Sequence, residues 1–178
     1  MTRSNMRALI VTWEGYQDQE LIYPYYRLRE ETETVDIVAN ANLIHGILGT
    51  KMNASVLVSE LVDNVDKFVE NYDFLVLPGG VKALEKLRQE KGVLDFIRKW
   101  DEAGKIIAST CHGAQLLISA KVTRGREISG YYSLEDDIEN SGAKYSREPV
   151  VISRNIVSSP HYNWMGEWMK EAINVYRK

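Results

Sequence analysis

The chain has 178 residues, 44% hydrophobic and 26% charged, a length that suits one domain and a core large enough to need no disulfide. Its 22 Lys and Arg against 25 Asp and Glu give a net charge of -3, with no like-charge run beyond three residues. That excludes the basic stripe of a nucleic-acid reader and the polybasic cluster of an electrostatic membrane binder.

No apolar stretch nears the roughly 20 residues a bilayer crossing takes. The N-terminal MTRSNMRALIVTWEG reads as a first strand rather than a leader. One cysteine, Cys111, rules out an internal disulfide and fits a reducing compartment, so a cytoplasmic protein is expected.

In chain order, ALIVTW (8–13) is a short apolar run of the kind a strand buried on both faces requires. Residues 18–31 turn to helical spacing, with Leu21, Ile22, Tyr25, Tyr26 and Leu28 on one broad face; Asp18 can cap the start. Pro24 inside that span predicts a kink or a late start. VDIVAN (35–40) is a second strand, and SVLVSEL (55–61) alternates as a hairpin or edge ribbon would. FLVLPGG (74–80) is a strand running into a glycine turn, and 81–100 reads as one helix. IIAST (106–110) is a strand ending at Cys111, followed by a short helix over 113–120. EISGYY (127–132), a helix near 134–140, short strands around 149–152 and 155–158, and a final helix over 163–176 complete the chain. No repeat, low-complexity tract or linker interrupts it, so residues 1–178 are expected to form a single α/β domain. Strand–helix alternation throughout predicts a mostly parallel sheet covered on both faces.

Ligands of such sheets bind beyond the carboxyl ends of the strands, where Trp13-Glu14-Gly15, Pro78-Gly79-Gly80 and Thr110-Cys111-His112-Gly113 converge. A cysteine between a strand and a helix is lifted above the sheet, and the free N–H groups of the helix start favour its thiolate. The bland reading is a buried cysteine acting as a small hydrophobe. Gly113 lets the next turn approach closely. The double glycine of LPGG offers bare N–H groups for an oxyanion, or is only a tight turn.

These residues carry a resemblance. ELIYPYYRLREE (20–31), YDFLVLPGG (72–80), ASTCHGAQLLISAKVTRGR (108–126), YYSLEDDIENSGA (131–143) and VSSPHYNWMGEWMKE (157–171) resemble the ThiJ/PfpI family of the class I glutamine-amidotransferase-like superfamily, in its protease/amidase branch. The resemblance implies a flavodoxin-like three-layer sandwich, a homodimer or higher homo-oligomer, and a small-molecule or short-peptide substrate with no cofactor. It implies Cys111 as nucleophile, His112 as general base, the N–H groups of Gly80 and His112 as oxyanion donors, and Tyr131 and His161 at the pocket edge. A carboxylate from a neighbouring subunit would pair with His112; ungapped matching lands on Leu84, and a one-residue shift on Glu85. The family's glutamate against the sulfur matches Gln17 when counted through ELIYP. Glutamine can donate a hydrogen bond but transfers no proton. Glu14, on the same turn, would compensate or is a solvated loop carboxylate.

His45 is expected to be exposed, and His161 lines the pocket or packs on Trp164 or Trp168. Asp136 and Asp137 point apart on a helix and read as a solvated face. Trp164 and Trp168 form a core stripe or an interface. One cysteine and three scattered histidines give little support for a metal site, and none is expected. The leading expectation is a cysteine enzyme acting on a small carbonyl or amide, glyoxalase/deglycase-like or amidase/peptidase-like. The alternative is a non-catalytic stress, redox-sensing or chaperone-type relative, favoured by Gln17 in place of the glutamate.

Overall fold

The computed structural model describes residues 4–178. A seven-stranded sheet runs in the order β10-β11-β7-β6-β1-β2-β5. Its strands are β1 (Ser4–Val11), β2 (Thr32–Ala39), β5 (Val56–Leu57), β6 (Phe74–Leu77), β7 (Ile106–Thr110), β10 (Val151–Ser153) and β11 (Ile156–Ser159). Every neighbouring pair is parallel except β10 with β11. Two small ribbons stand apart: β3 (Leu43–His45) with β4 (Lys51–Asn53), and β8 (Glu127–Ile128) with β9 (Lys144–Tyr145).

Period-two side-chain alternation sends each central strand into two cores. Leu9 and Val11 of β1 join one, with Leu75, Leu77 and Ile107. Ala8 and Ile10 join the other, with Val76 and Ala108. The first is roofed by α2 (Val58–Asp63), α4 (Val81–Leu87), α5 (Lys91–Glu102), α6 (Ala114–Ser119) and α7 (Glu135–Asn140), with α3 (Val65–Asn71) at its margin. The second is roofed by α1 (Asp18–Glu31) and α8 (Met165–Arg177). The result is the α/β sandwich with a mostly parallel sheet that the alternation of elements implies.

Three local expectations are corrected. SVLVSEL contributes only the two-residue β5 before α2 begins at Val58, so it is not a hairpin. Its alternation over so few residues also fits one helical face, since Val58 and Leu61, three apart, are both buried. The 81–100 segment is two helices, α4 and α5, parted at 88–90. In α1 the helix begins at Asp18 and continues past Pro24, so no late start occurs. Pro24 forgoes its N–H donation to the Glu20 carbonyl but sits on the buried face with Leu21 and Leu28, where packing holds the helix.

Trp168 is fully buried, and its indole N–H donates to the Val157 carbonyl at 3.1 Å, which ties α8 to β11. The Trp stripe is therefore core at Trp168, whereas Trp164 is half-buried where α8 begins.

Candidate active site

β7 ends at Thr110, and the chain turns at once through Cys111, His112 and Gly113 into α6. Cys111 has φ of 56°, a left-handed conformation that a side chain adopts only under constraint, as at hydrolase nucleophile elbows. Its carbonyl accepts the Tyr131 N–H at 3.1 Å, which fixes the turn from the far side. A Cβ on Gly113 would collide with the Leu77 carbonyl oxygen, so only glycine lets the elbow lie against β6.

The group set against the sulfur is Glu20. Its carboxyl is fully buried and set beside the Cys111 thiol, close enough to shift its titration, while Oε1 accepts the Gly79 N–H at 3.0 Å. Oε2 has no nitrogen or oxygen donor. Burial pushes the Glu20 carboxyl up to about 8, against the lowering effect of its bonds to Cys111 and Gly79. Burial also raises the Cys111 thiol, and the neighbouring Glu20 charge raises it further; the His112 N–H acts the other way. Each ionised form opposes the other, so ionisation of Glu20 makes loss of the thiol proton harder.

Gln17 does not occupy that place. It is the residue before the first turn of α1, and its Oε1 accepts the Glu20 N–H at 3.0 Å. Its own N–H donates to the Gly79 carbonyl at 3.1 Å. Gln17-x-x-Glu20 has the spacing of a capping box, in which the glutamate would normally reach back to the capping residue's N–H. Here that N–H goes to Gly79, which releases the Glu20 carboxyl to cross to the cysteine. This spacing is the signal that sequence reading missed.

Glu14 does not reach the sulfur either. Its carboxylate accepts the His45 N–H at 2.8 Å and lies 3.0 Å from His45 Nδ1, on the outer side of the β1–α1 turn. His45 is exposed, as expected. Glu85 is exposed on α4, and among the described residues no bond joins its carboxyl to His112.

Gly79 and Gly80 form the turn between β6 and α4. A Cβ on Gly79 would collide with Glu20 Oε1 and lie 2.9 Å from Cys111 Cβ. Gly80 has φ of 109°, and a Cβ there would come within 2.5 Å of the Gln17 nitrogen. Nδ1 of His112 lies 3.4 Å from the Cys111 sulfur, and burial lowers the imidazole pKa, favouring its neutral form. The Tyr131 ring stacks on His112 at 4.8 Å, and His161 lies 6.4 Å from Tyr131, so both join the wall of the site. His161 does not pack on either tryptophan: it stands against Tyr162 at 3.9 Å, and its Nδ1 accepts the Asn163 N–H. Asp136 and Asp137 are exposed on α7.

Among the described residues, no group of three or more His, Cys, Asp or Glu is arranged to hold a metal, and no helix is long and apolar enough to cross a membrane.

A parallel α/β sandwich with a strained cysteine elbow and a buried carboxyl against its sulfur defines a class of protein. Within that class the chain belongs to the DJ-1/PfpI family, whose model matches residues 6–175. It is 41% identical over 169 residues to the deglycase PH1704 of Pyrococcus horikoshii, covering 93% of this chain and 98% of that protein. It is 37% identical over 172 residues to the deglycase PfpI of Pyrococcus furiosus, covering 97% and 100%. The fold matches DJ-1 of Schizosaccharomyces pombe with a TM-score of 0.86 at 20% identity, covering 97% of this chain and 95% of that one.

Proposed function

We propose that this protein is a cofactor-independent cysteine enzyme acting on small carbonyl adducts of amines, a deglycase. The observation that carries this reading is the buried Glu20 carboxyl, raised to about 8, against the Cys111 thiol. A carboxyl that titrates near neutrality holds or releases a proton within the working pH range, which suits it to exchange protons with the thiol and substrate. The names of the archaeal relatives support the same chemistry.

In this reading Glu20 accepts the Cys111 proton as the sulfur attacks the substrate carbonyl carbon. A C–S bond forms, and the carbonyl π pair moves onto oxygen, held by the N–H groups of Gly80 and His112. Glu20 then delivers its proton to the amine nitrogen as the C–N bond of the neighbouring carbinol carbon breaks; the hydroxyl oxygen of that carbon closes to a carbonyl and passes its proton to the oxyanion. Neutral His112 accepts a proton from the water that releases the product from sulfur. In a homo-oligomer, exposed Glu85 would be the carboxylate that orients His112 of a second copy.

The test follows methylglyoxal adducts of Nα-acetyl-lysine by NMR, reading recovery of the free amine. Cys111→Ala must abolish recovery with the fold intact by circular dichroism. Equal recovery by wild type and Cys111→Ala would rule the reading out. Protection of an unfolding client by both proteins alike would favour a thiol-independent chaperone instead.

A further inference from the structure

Beyond the sulfur, aromatic rings continue outward in an unbroken patch. Tyr132 lies 5.8 Å from Tyr131 and 6.3 Å from His161, and the Tyr162 ring lies 3.9 Å from His161, tilted against it. Tyr132 and Tyr162 are 37% and 40% exposed and so present their rings to solvent. The reaction at Cys111 needs neither of them.

The chain itself displays what this patch binds. The Arg147 guanidinium rests over the Tyr132 ring, 5.4 Å from its centroid, and lies 3.6 Å from a Glu135 carboxylate oxygen. That is a cation–π contact with a flanking counter-charge, the two features that select a planar cation over a neutral group of the same shape. The Arg147 and Glu135 side chains are 66% and 46% exposed and their pair is long, so little holds Arg147 in place. Burial lowers the His161 pKa, so this ring adds no positive charge near neutral pH. Asp136 and Asp137, on the same helix as Glu135, face solvent and make the surroundings acidic.

We propose that Tyr132, His161 and Tyr162, with Glu135, form a subsite for a guanidinium group, an arginine side chain that a peptide or protein substrate presents beside the group reacting with Cys111. Arg147 is its tethered stand-in, displaced when substrate binds. The inference rests on the deglycase reading only for its reacting group; the subsite itself rests on the rings and carboxylate.

The experiment is calorimetric titration of the Cys111→Ala protein with Nα-acetyl-arginine amide and with its neutral isostere, Nα-acetyl-citrulline amide. The arginine probe is expected to bind about five- to tenfold more tightly. Tyr132→Ala should bring the two probes level, Tyr132→Phe should keep the preference, and Arg147→Ala should tighten the arginine probe. Equal binding of the probes, or a preference that survives Tyr132→Ala, overturns the proposal. So does a Tyr132→Ala variant that changes the oligomer mass and leaves the preference intact, since a second copy then covers the patch. The titration needs no turnover. Absent preference with Cys111-dependent turnover rejects the subsite alone, and preference without turnover in the wild type rejects the deglycase reading alone.

Discussion

Glu20 and Cys111 meet across Gly79: Glu20 Oε1 accepts the Gly79 N–H at 3.0 Å, and the same carboxyl contacts the thiol. No side chain stands between them because the intervening residue has none. The carboxyl comes from the first turn of α1 and the sulfur from the end of β7, so one backbone N–H aligns two distant segments.

Glu20→Gln keeps a donor for the sulfur and removes the exchangeable proton. Recovery of amine from the adduct should fall about 10²- to 10⁴-fold, the range general acid–base catalysis contributes. Cys111 should still alkylate, in one titration step instead of two. The same variant tests stability. The folded Glu20 carboxyl is raised from 4.5 to about 8, so an unfolded chain ionises it first. The stability it contributes is complete below about pH 4.5 and is lost as pH rises through 8. Melting temperatures of the wild type should therefore decline from pH 5 to 9 more steeply than those of Glu20→Gln. Parallel curves would contradict the burial of an ionising carboxyl.

Gln17→Ala removes the cap and leaves the Glu20 carboxyl in place. It should cost about 1 kcal/mol in denaturant unfolding, as the loss of a helix cap does. The pH profile of Cys111 alkylation should stay within a few tenths of a unit of wild type. A profile like that of Glu20→Gln would return Gln17 to the sulfur.

Gly79→Ala places a methyl against Glu20 Oε1 and 2.9 Å from Cys111 Cβ. The backbone accepts alanine, so the protein should fold, destabilised by about 1–3 kcal/mol from overpacking. Turnover should be lost because the carboxyl is driven from the sulfur. Wild-type turnover in a folded variant would refute the Glu20–Cys111 geometry.

Asp18 clamps the loop between β3 and β4. Its Oδ1 accepts the Leu48 N–H at 2.8 Å and its Oδ2 accepts the Thr50 N–H at 3.0 Å, with the Thr50 hydroxyl as a further donor. Burial alone would raise this carboxyl, but these bonds reverse the direction and hold it below its usual range. Asp18→Asn turns an amide N–H toward one of those donors. It should cost about 1–3 kcal/mol and speed hydrogen exchange at Leu48 and Thr50 well ahead of the sheet. Unchanged exchange there would show the loop is held by other means.

Much of this was legible from residue order. The apolar runs at 8–11, 74–77 and 106–110, bounded by turn residues, read as strands buried on both faces, and the last of them puts Cys111 at a strand-to-helix turn. Local periodicity could not tell that α2 starts at Val58, because a four- or five-residue alternation fits a strand and one face of a short helix equally well. The aromatic patch was equally hidden, since Tyr132, Arg147 and His161 come from three separate connections.

The sequence by itself determined the parallel α/β class and the position of Cys111, His112, Gly79 and Gly80 at the strand ends, because short-range patterns encode strands, helices and turns. Which carboxylate reaches the sulfur was decided only by tertiary structure. Glu14, Gln17 and Glu20 all lie within seven residues on one turn, and chain distance does not rank them. The ranking comes from where each N–H and carboxyl finds its partner: His45 takes Glu14, the start of α1 takes Gln17, and the Gly79 N–H draws Glu20 inward. Those partners lie on other elements, and a buried polar group goes where it is satisfied.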